Sequence, residues 1–143
     1  RPIMIINNTI AGNSSAAGIC GIYGSGTALF KNNIVWGNIS PTNLQVSVSL
    51  NMSYSVVQGG YQGTGIIDNN PFEGSSFVPF INSVCIDSGD PDMIFDDKST
   101  PEGNSAIFPS LGSLRNDIGA FGGPFSDKIT ADLIINLGLL NKK

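Results

Sequence analysis

The sequence predicts an all-β chain built from stacked coils of short strands, and three observations carry that prediction. The first is a repeat. "NNTIAGN" at residues 7–13 returns as "NNIVWGN" at 32–38, so Asn7, Asn8, Gly12 and Asn13 align with Asn32, Asn33, Gly37 and Asn38 at an offset of 25. A third copy, "YSVVQGG" at 54–60, follows at an offset of 22 and keeps the apolar pair Val56-Val57 and Gly59. Such short periods mark stacked repeats and leave too little chain for helical-pair units. The second observation is alternation. In "LQVSVSLNMSYSV" (44–56) Leu44, Val46, Val48, Leu50, Met52, Tyr54 and Val56 share one parity, and polar residues take the other. That is the period of a strand with one buried face, with a bend expected near Asn51 because so long a strand is unusual. The third is composition: 41% hydrophobic but only 13% charged, about half the usual ~25%. Asn, Ser and Gly supply the polarity.

Two or three short strands repeated every 22 to 25 residues make a coil of a parallel β-helix, with hydrogen bonds running along the stack. Residues 1–62 are read as such coils. Equivalent positions then lie about 4.8 Å apart, so an asparagine at a turn sits on the asparagine beneath it. Asn7, Asn8, Asn32 and Asn33 are accordingly assigned a structural role, their side-chain amides bonding in a ladder that satisfies a tight turn. Gly12, Gly37 and Gly59 mark the next corner, where a positive φ or a close backbone approach is expected. The same texture creates four glycosylation acceptor patterns, "NNT", "NSS", "NIS" and "NMS", which chance supplies in a chain this rich in Asn and Ser.

After Gly60 the period fails, and residues 63–143 are read as a capping region of the same structural domain. "GTGIIDNNPF" (63–72) is a short strand and a turn set by Asn69-Asn70-Pro71. "FVPFINSVCIDSGDPD" (77–92) holds another strand running into an acidic turn, 93–116 is a long surface loop, and "NDIGAFGGP" returns to a Gly-rich texture. In the tail, residues 129–139 alternate as a strand, although Leu133, Ile134, Leu137 and Leu140 would also make a helical stripe; Gly138 favours the strand.

In their order, "NNIVWGN", "YSVVQGG", "GTGIIDNNPF", "CIDSGDPD" and "RNDIGAFGG" resemble the C-terminal end of bacterial right-handed parallel β-helix proteins of pectate-lyase-like fold, those with a choice-of-anchor type C-terminal domain. The resemblance covers most of residues 3–124. It implies a right-handed coil and a secreted or cell-surface protein, with a sorting or anchoring segment often downstream. The 93–114 loop and the apolar tail depart from the family pattern. The chain enters the repeat directly from Arg1-Pro2-Ile3 without a polar cap, so it is expected to be the C-terminal fragment of a longer exported protein, with an open coil at its start.

The chemistry available is narrow. There is no histidine, which removes the commonest general base, zinc ligand and nucleophile activator. Seven Lys and Arg face eleven acids for a net charge of −4, with no basic cluster, so neither nucleic acid nor an anionic membrane surface is an expected partner. No apolar run is long enough to span a bilayer. The stretch "DSGDPDMIFDD" crowds hard oxygen ligands into a loop that suits Ca²⁺, with Asp90, Asp92 and Asp117 as first-choice ligands. The competing reading is that Asp87 and Asp90 hold a tight turn through backbone amides.

Enzymes on this fold use paired carboxylates, or a cation with an Arg or Lys base. The hydrolase signature of Gly-His-Gly with Arg-x-Lys is absent, since Arg115 precedes Asn116-Asp117. Arg1, Lys31, Lys98 and Arg115 are the plausible bases, and Lys31 reads as an outward side chain on a strand. Trp36 and Tyr61 are the candidate carbohydrate-stacking residues, with Tyr23 and Tyr54 behind them. Cys20 and Cys85 read as buried single thiols, the alternative being a bridge between them. The expected function is a noncatalytic extracellular scaffold with a carbohydrate-binding face. The alternatives are a fragment of a polysaccharide lyase or glycoside hydrolase, and an adhesin or surface subunit that stacks end to end through its open coil.

Overall fold

A computed structural model describes residues 2–47 and 49–128. Arg1, Val48 and the strand expected at 129–140 lie outside the described residues. Among the described residues there are six short strands: β1 (Met4–Ile6), β2 (Thr9–Ala11), β3 (Leu29–Lys31), β4 (Ile34–Trp36), β5 (Asn51–Ser53) and β6 (Val56–Val57). All pair in parallel, in two three-stranded sheets of order β1-β3-β5 and β2-β4-β6. The only helices among the described residues are two single 3-10 turns, Met93–Phe95 and Ser126–Lys128. The fold is therefore all-β with parallel sheets.

The sequence repeat is the strand register. Ile5 pairs with Phe30 and Ile10 with Val35 at the offset of 25, then Phe30 with Met52 and Val35 with Val57 at 22. Each level makes the same two-residue corner between its strands: Asn7-Asn8, Asn32-Asn33, Tyr54-Ser55. The first residue of each is left-handed, with φ of 54°, 55° and 46°. Asparagine tolerates that region far better than a bulky residue does, which explains why two of the three corners are asparagine. Outside the strands, isolated parallel bridges Ser14–Ile39 and Ile22–Val46 continue the stacking.

Three expectations need correction here. The bend expected near Asn51 falls at Tyr54 instead, and Asn51 begins β5. The alternating run does not present one buried face, because Gln45, Ser47 and Ser55 are buried and Leu44 is half exposed. Every corner resets the parity, and polar side chains turned inward bond neighbouring levels. Nor does the stacking stop at Gly60. Ile67 forms a parallel bridge with Val56, and Tyr54 and Val57 donate to the Thr64 and Ile67 carbonyls at 2.7 and 2.9 Å. This is a shortened fourth level, which brings Gly63 so close to the Met52 carbonyl that a Cβ has no room.

Two apolar clusters hold the molecule. Phe30, Val35, Val46, Met52 and Val57 form the first, drawing on both sheets and sealed by Tyr61 and Ile66. Ile34, Val56, Phe72, Cys85 and Ile118 form the second, where the segment after residue 69 packs on the opposite face of sheet β2-β4-β6. A sheet covered on both faces explains the unbroken Ile34-Val35 and Val56-Val57 pairs. Backbone bonds tie the cap down: Ile118 N–H to Cys85 C=O at 2.9 Å and Gly119 N–H to Asn32 C=O at 2.8 Å. Both cysteines are free; Cys85 is buried in the second cluster, whereas Cys20 is only part-buried.

Candidate functional site

The second asparagine of each corner forms the ladder. Asn33 is fully buried; its Oδ1 accepts from the Asn8 backbone N–H at 3.0 Å and from Asn8 Nδ2 at 3.1 Å, and its Nδ2 donates to Ile5 C=O at 2.8 Å. At the next level Ser55 Oγ accepts from the Asn33 N–H at 3.1 Å. Asn38 repeats the pattern with Asn13 and Ile10, and Gln45 reaches across to bond its side chain and backbone. Asn13, Asn38 and Gln45 thus share a role given in sequence to the paired asparagines alone. The 25-residue match already contained Asn13 and Asn38.

The first asparagines do something else. Asn7 and Asn32 do not stack amide on amide. Asn7 Nδ2 donates to Asn116 Oδ1 and to the carbonyls of Asp117 and Gly119, and Asn32 Oδ1 accepts from the Asp90 N–H at 2.8 Å. A left-handed backbone swings these side chains outward, onto the cap. Gly12 and Gly37 both have φ of 68°, and the Phe77 ring lies where a Cβ on Gly12 would stand. Gly59 has φ of 83° and open space around it.

The acidic residues hold the cap's backbone. Asp90 pairs with Lys31 through one oxygen and accepts from the Asp92 N–H at 3.1 Å through the other. Asp92 caps the Met93–Phe95 turn by accepting from the Ile94 N–H. Asp117 accepts from the N–H groups of Asp87 and Leu111 at 2.8 and 2.7 Å, and Asp87 accepts from the Ser113 N–H and hydroxyl. Asp97, the last residue of the acidic stretch and not a first-choice ligand, accepts from the N–H groups of Asp117 and Gly123. The structure therefore divides Asp90, Asp92 and Asp117 among separate backbone tasks. Among the described residues no group of three His, Cys, Asp or Glu is placed to hold a metal ion. Burial pushes the Asp97 carboxyl up to about 7 and that of Asp117 up to about 6, against the N–H bonds they accept and reinforced by neighbouring carboxylates.

Of the candidate bases, Lys31 and Arg115 are engaged, Lys98 is exposed, and Arg1 lies outside the described residues. Lys31 Nζ faces Asp90 and lies 5.0 Å from the Phe95 ring centre. Arg115 donates twice to Gly89 C=O, at 3.1 and 2.9 Å. Burial raises the Cys85 thiol to about 12, so it is no nucleophile.

Trp36 and Tyr61 are not brought together. Trp36 packs part-buried against the cluster beneath the cap, while Tyr61 packs against the other. The Tyr61 hydroxyl accepts from Leu50 N–H at 2.8 Å and faces the carbonyls of Ser47 and Leu50. Tyr61 borders a groove of about 580 Å³ whose polar lining residues are Asn43, Gln45, Gln58 and Gln62, the Gln45 amide being buried and spent on Asn38, with Gly59 and Gly60 as a side chain-free wall. The groove exists because the chain cuts from Gly60 to Gly63, leaving Val46, paired with Ile22 on one side, without a further strand on the other among the described residues. Apart from the Tyr61 phenol, no lining side chain is ionisable. Tyr23 stands 85% exposed elsewhere. No protein-family model, curated protein or solved structure matches the chain.

Proposed function

We propose that this chain is the noncatalytic C-terminal part of a right-handed parallel β-helix protein, pectate-lyase-like in fold and acting as an extracellular or cell-surface scaffold, with a glycan-binding groove beside Tyr61. The supporting observation is the groove's chemistry. The amides of Asn43 and Gln62 and the Nε2 of Gln58, with an aromatic ring and a glycine wall, suit the hydroxyls and C–H faces of a sugar. Among the described residues that line it there is neither a carboxylate nor a cation. The ordered motifs quoted from the sequence and the two stacked parallel sheets support the coil reading, and right-handed connection is the rule for parallel strands. Gln62 is the residue to vary, since Tyr61 and Gln58 also hold backbone groups.

Titration with oligosaccharides of neutral and uronate type, followed by calorimetry, tests the reading. Binding weakened severalfold by Gln62→Ala supports it, and release of reducing or unsaturated sugars would instead favour the lyase or hydrolase alternative. Failure of every glycan to bind removes the groove's role and leaves the scaffold alone.

A further inference from the structure

The stack is interrupted within its own length. The first two levels each continue past their strand pair into a further segment, and there Ile22 of the first bridges Val46 of the second. The third level makes no such segment, because the chain cuts from Gly60 to Gly63. The groove beside Tyr61, bounded by Asn43, Leu44, Val46 and Gln62, lies where that segment would run. It is on the side of Val46 away from the first level, so its form does not depend on what precedes β1.

One wall of the groove therefore presents backbone. Ile22 N–H donates to Gln45 C=O and Ser47 N–H donates to Ile22 C=O, both at 2.9 Å. In a parallel pair alternate residues face the partner, so the Val46 N–H and C=O are directed the other way, along the stack toward the groove. Neither takes part in a hydrogen bond among the described residues. Buried backbone groups nearly always find a partner, and Val46 is only 6% exposed. Next to this pair Leu44 holds a large apolar side chain 49% exposed. The side-chain amides of Asn43 and Gln62 bond no other group among the described residues, and the described lining includes no charged side chain.

We propose that the groove selects N-acetylated amino sugars, the acetamido group doing for Val46 what a third-level peptide group would do. This rests on the glycan reading of the groove and names the sugar class it takes. The acetamido carbonyl accepts from the Val46 N–H, a neighbouring ring hydroxyl donates to the Val46 carbonyl, and the acetamido methyl lies on Leu44. Asn43 and Gln62 meet the remaining hydroxyls. A plain hexose offers no carbonyl to Val46 and no methyl to Leu44. A site that bonds a substituent rejects the analogue lacking it, because its own buried group is left unpaired. A uronate brings a carboxylate that no cation among the described lining residues meets.

Calorimetry on the 143-residue chain compares chitotriose, the trimer of N-acetylglucosamine, with cellotriose, its glucose counterpart of the same linkage, and hydrogen exchange follows the Val46 amide. Chitotriose binds about tenfold tighter or more, since it gains a bond to a buried donor and a buried methyl. It alone slows exchange at Val46. Leu44→Ser, at a half-exposed position, cuts the ratio of the two affinities severalfold, whereas Ile81→Ser, exposed elsewhere, leaves both affinities unchanged. Equal binding of the two trimers, or a preference for chitotriose that leaves Val46 exchange unaltered, overturns the acetamido proposal and keeps the groove as a glycan site. Failure of these and every other glycan to bind overturns both readings together. An extended peptide that protects Val46 where no glycan does would make the groove a strand-pairing edge instead.

Discussion

Asn33 and Asn8 occupy the same place in the repeat and differ in burial, so truncating each to alanine isolates what the ladder contributes. Asn33→Ala removes one acceptor and one donor at a site with no solvent access. It orphans the Asn8 backbone N–H, bonded now at 3.0 Å, and takes the second of two bonds from the Ile5 carbonyl, at 2.8 Å, which keeps its bond in the parallel ladder. An orphaned buried group costs about 1–3 kcal/mol and a lost bond about 1 kcal/mol, so the variant loses about 2–4 kcal/mol. Asn8 is exposed, and water replaces its side chain's bonds to Ile6 and Asn33; Asn8→Ala costs under about 1 kcal/mol. In a domain of this size 1 kcal/mol moves the melting midpoint by roughly 3 °C. The midpoint of thermal unfolding followed by circular dichroism therefore drops by about 6–12 °C for Asn33→Ala and by about 3 °C or less for Asn8→Ala. Urea titration at constant m-value checks the free energies. Equal losses in the two variants, or a loss under 1 kcal/mol at Asn33, would refute the ladder as the element that satisfies the corners.

Other positions give independent checks. Lys31→Ala strands the Asp90 carboxylate, 6% exposed; with Lys31 itself 26% exposed the loss is about 2–3 kcal/mol, below that of a fully buried pair, and adding Asp90→Asn recovers part of it in a denaturant titration. Gly63→Ala drives a Cβ into the Met52 carbonyl and opens the fourth level, seen as lost protection of the Val57 and Ile67 amides, whereas Gly24→Ala, with open space, is neutral. Because the folded carboxyls of Asp97 and Asp117 titrate near 7 and 6, above their ordinary 3.8, the folded state binds the extra protons. Their contribution is complete below about pH 4 and disappears as pH rises through 6 and 7; the melting midpoint loses their share across that window, and Asp97→Asn reduces the loss while Glu102→Gln, on the surface, does not. Calcium in excess leaves the melting midpoint unmoved, since Asp90, Asp92 and Asp117 spend their oxygens on N–H groups and Lys31; a rise of several degrees would reveal a site.

By itself the sequence determined the level-to-level register. A repeat at offsets of 25 and 22 lets only one alignment of strands bury every apolar pair, and that alignment is the one the two parallel sheets adopt. It also marked Gly12 and Gly37 as corners, because few other residues take their backbone angles. Tertiary structure decided the rest. Whether an asparagine joins the ladder or holds the cap depends on which way a left-handed residue throws its side chain, and Asn7 and Asn8 look alike in one dimension. The fourth level was hidden because Ile67 stacks on Val56 after a shortcut of 11 residues, half the repeat. The acidic loop left two readings open, a cation site or a turn held through backbone amides, since carboxylates are ligands for metals and for backbone amides alike. Only the folding of residues 87–123 onto the sheet brings N–H groups to those oxygens, a contact between segments far apart in the chain that no local pattern encodes.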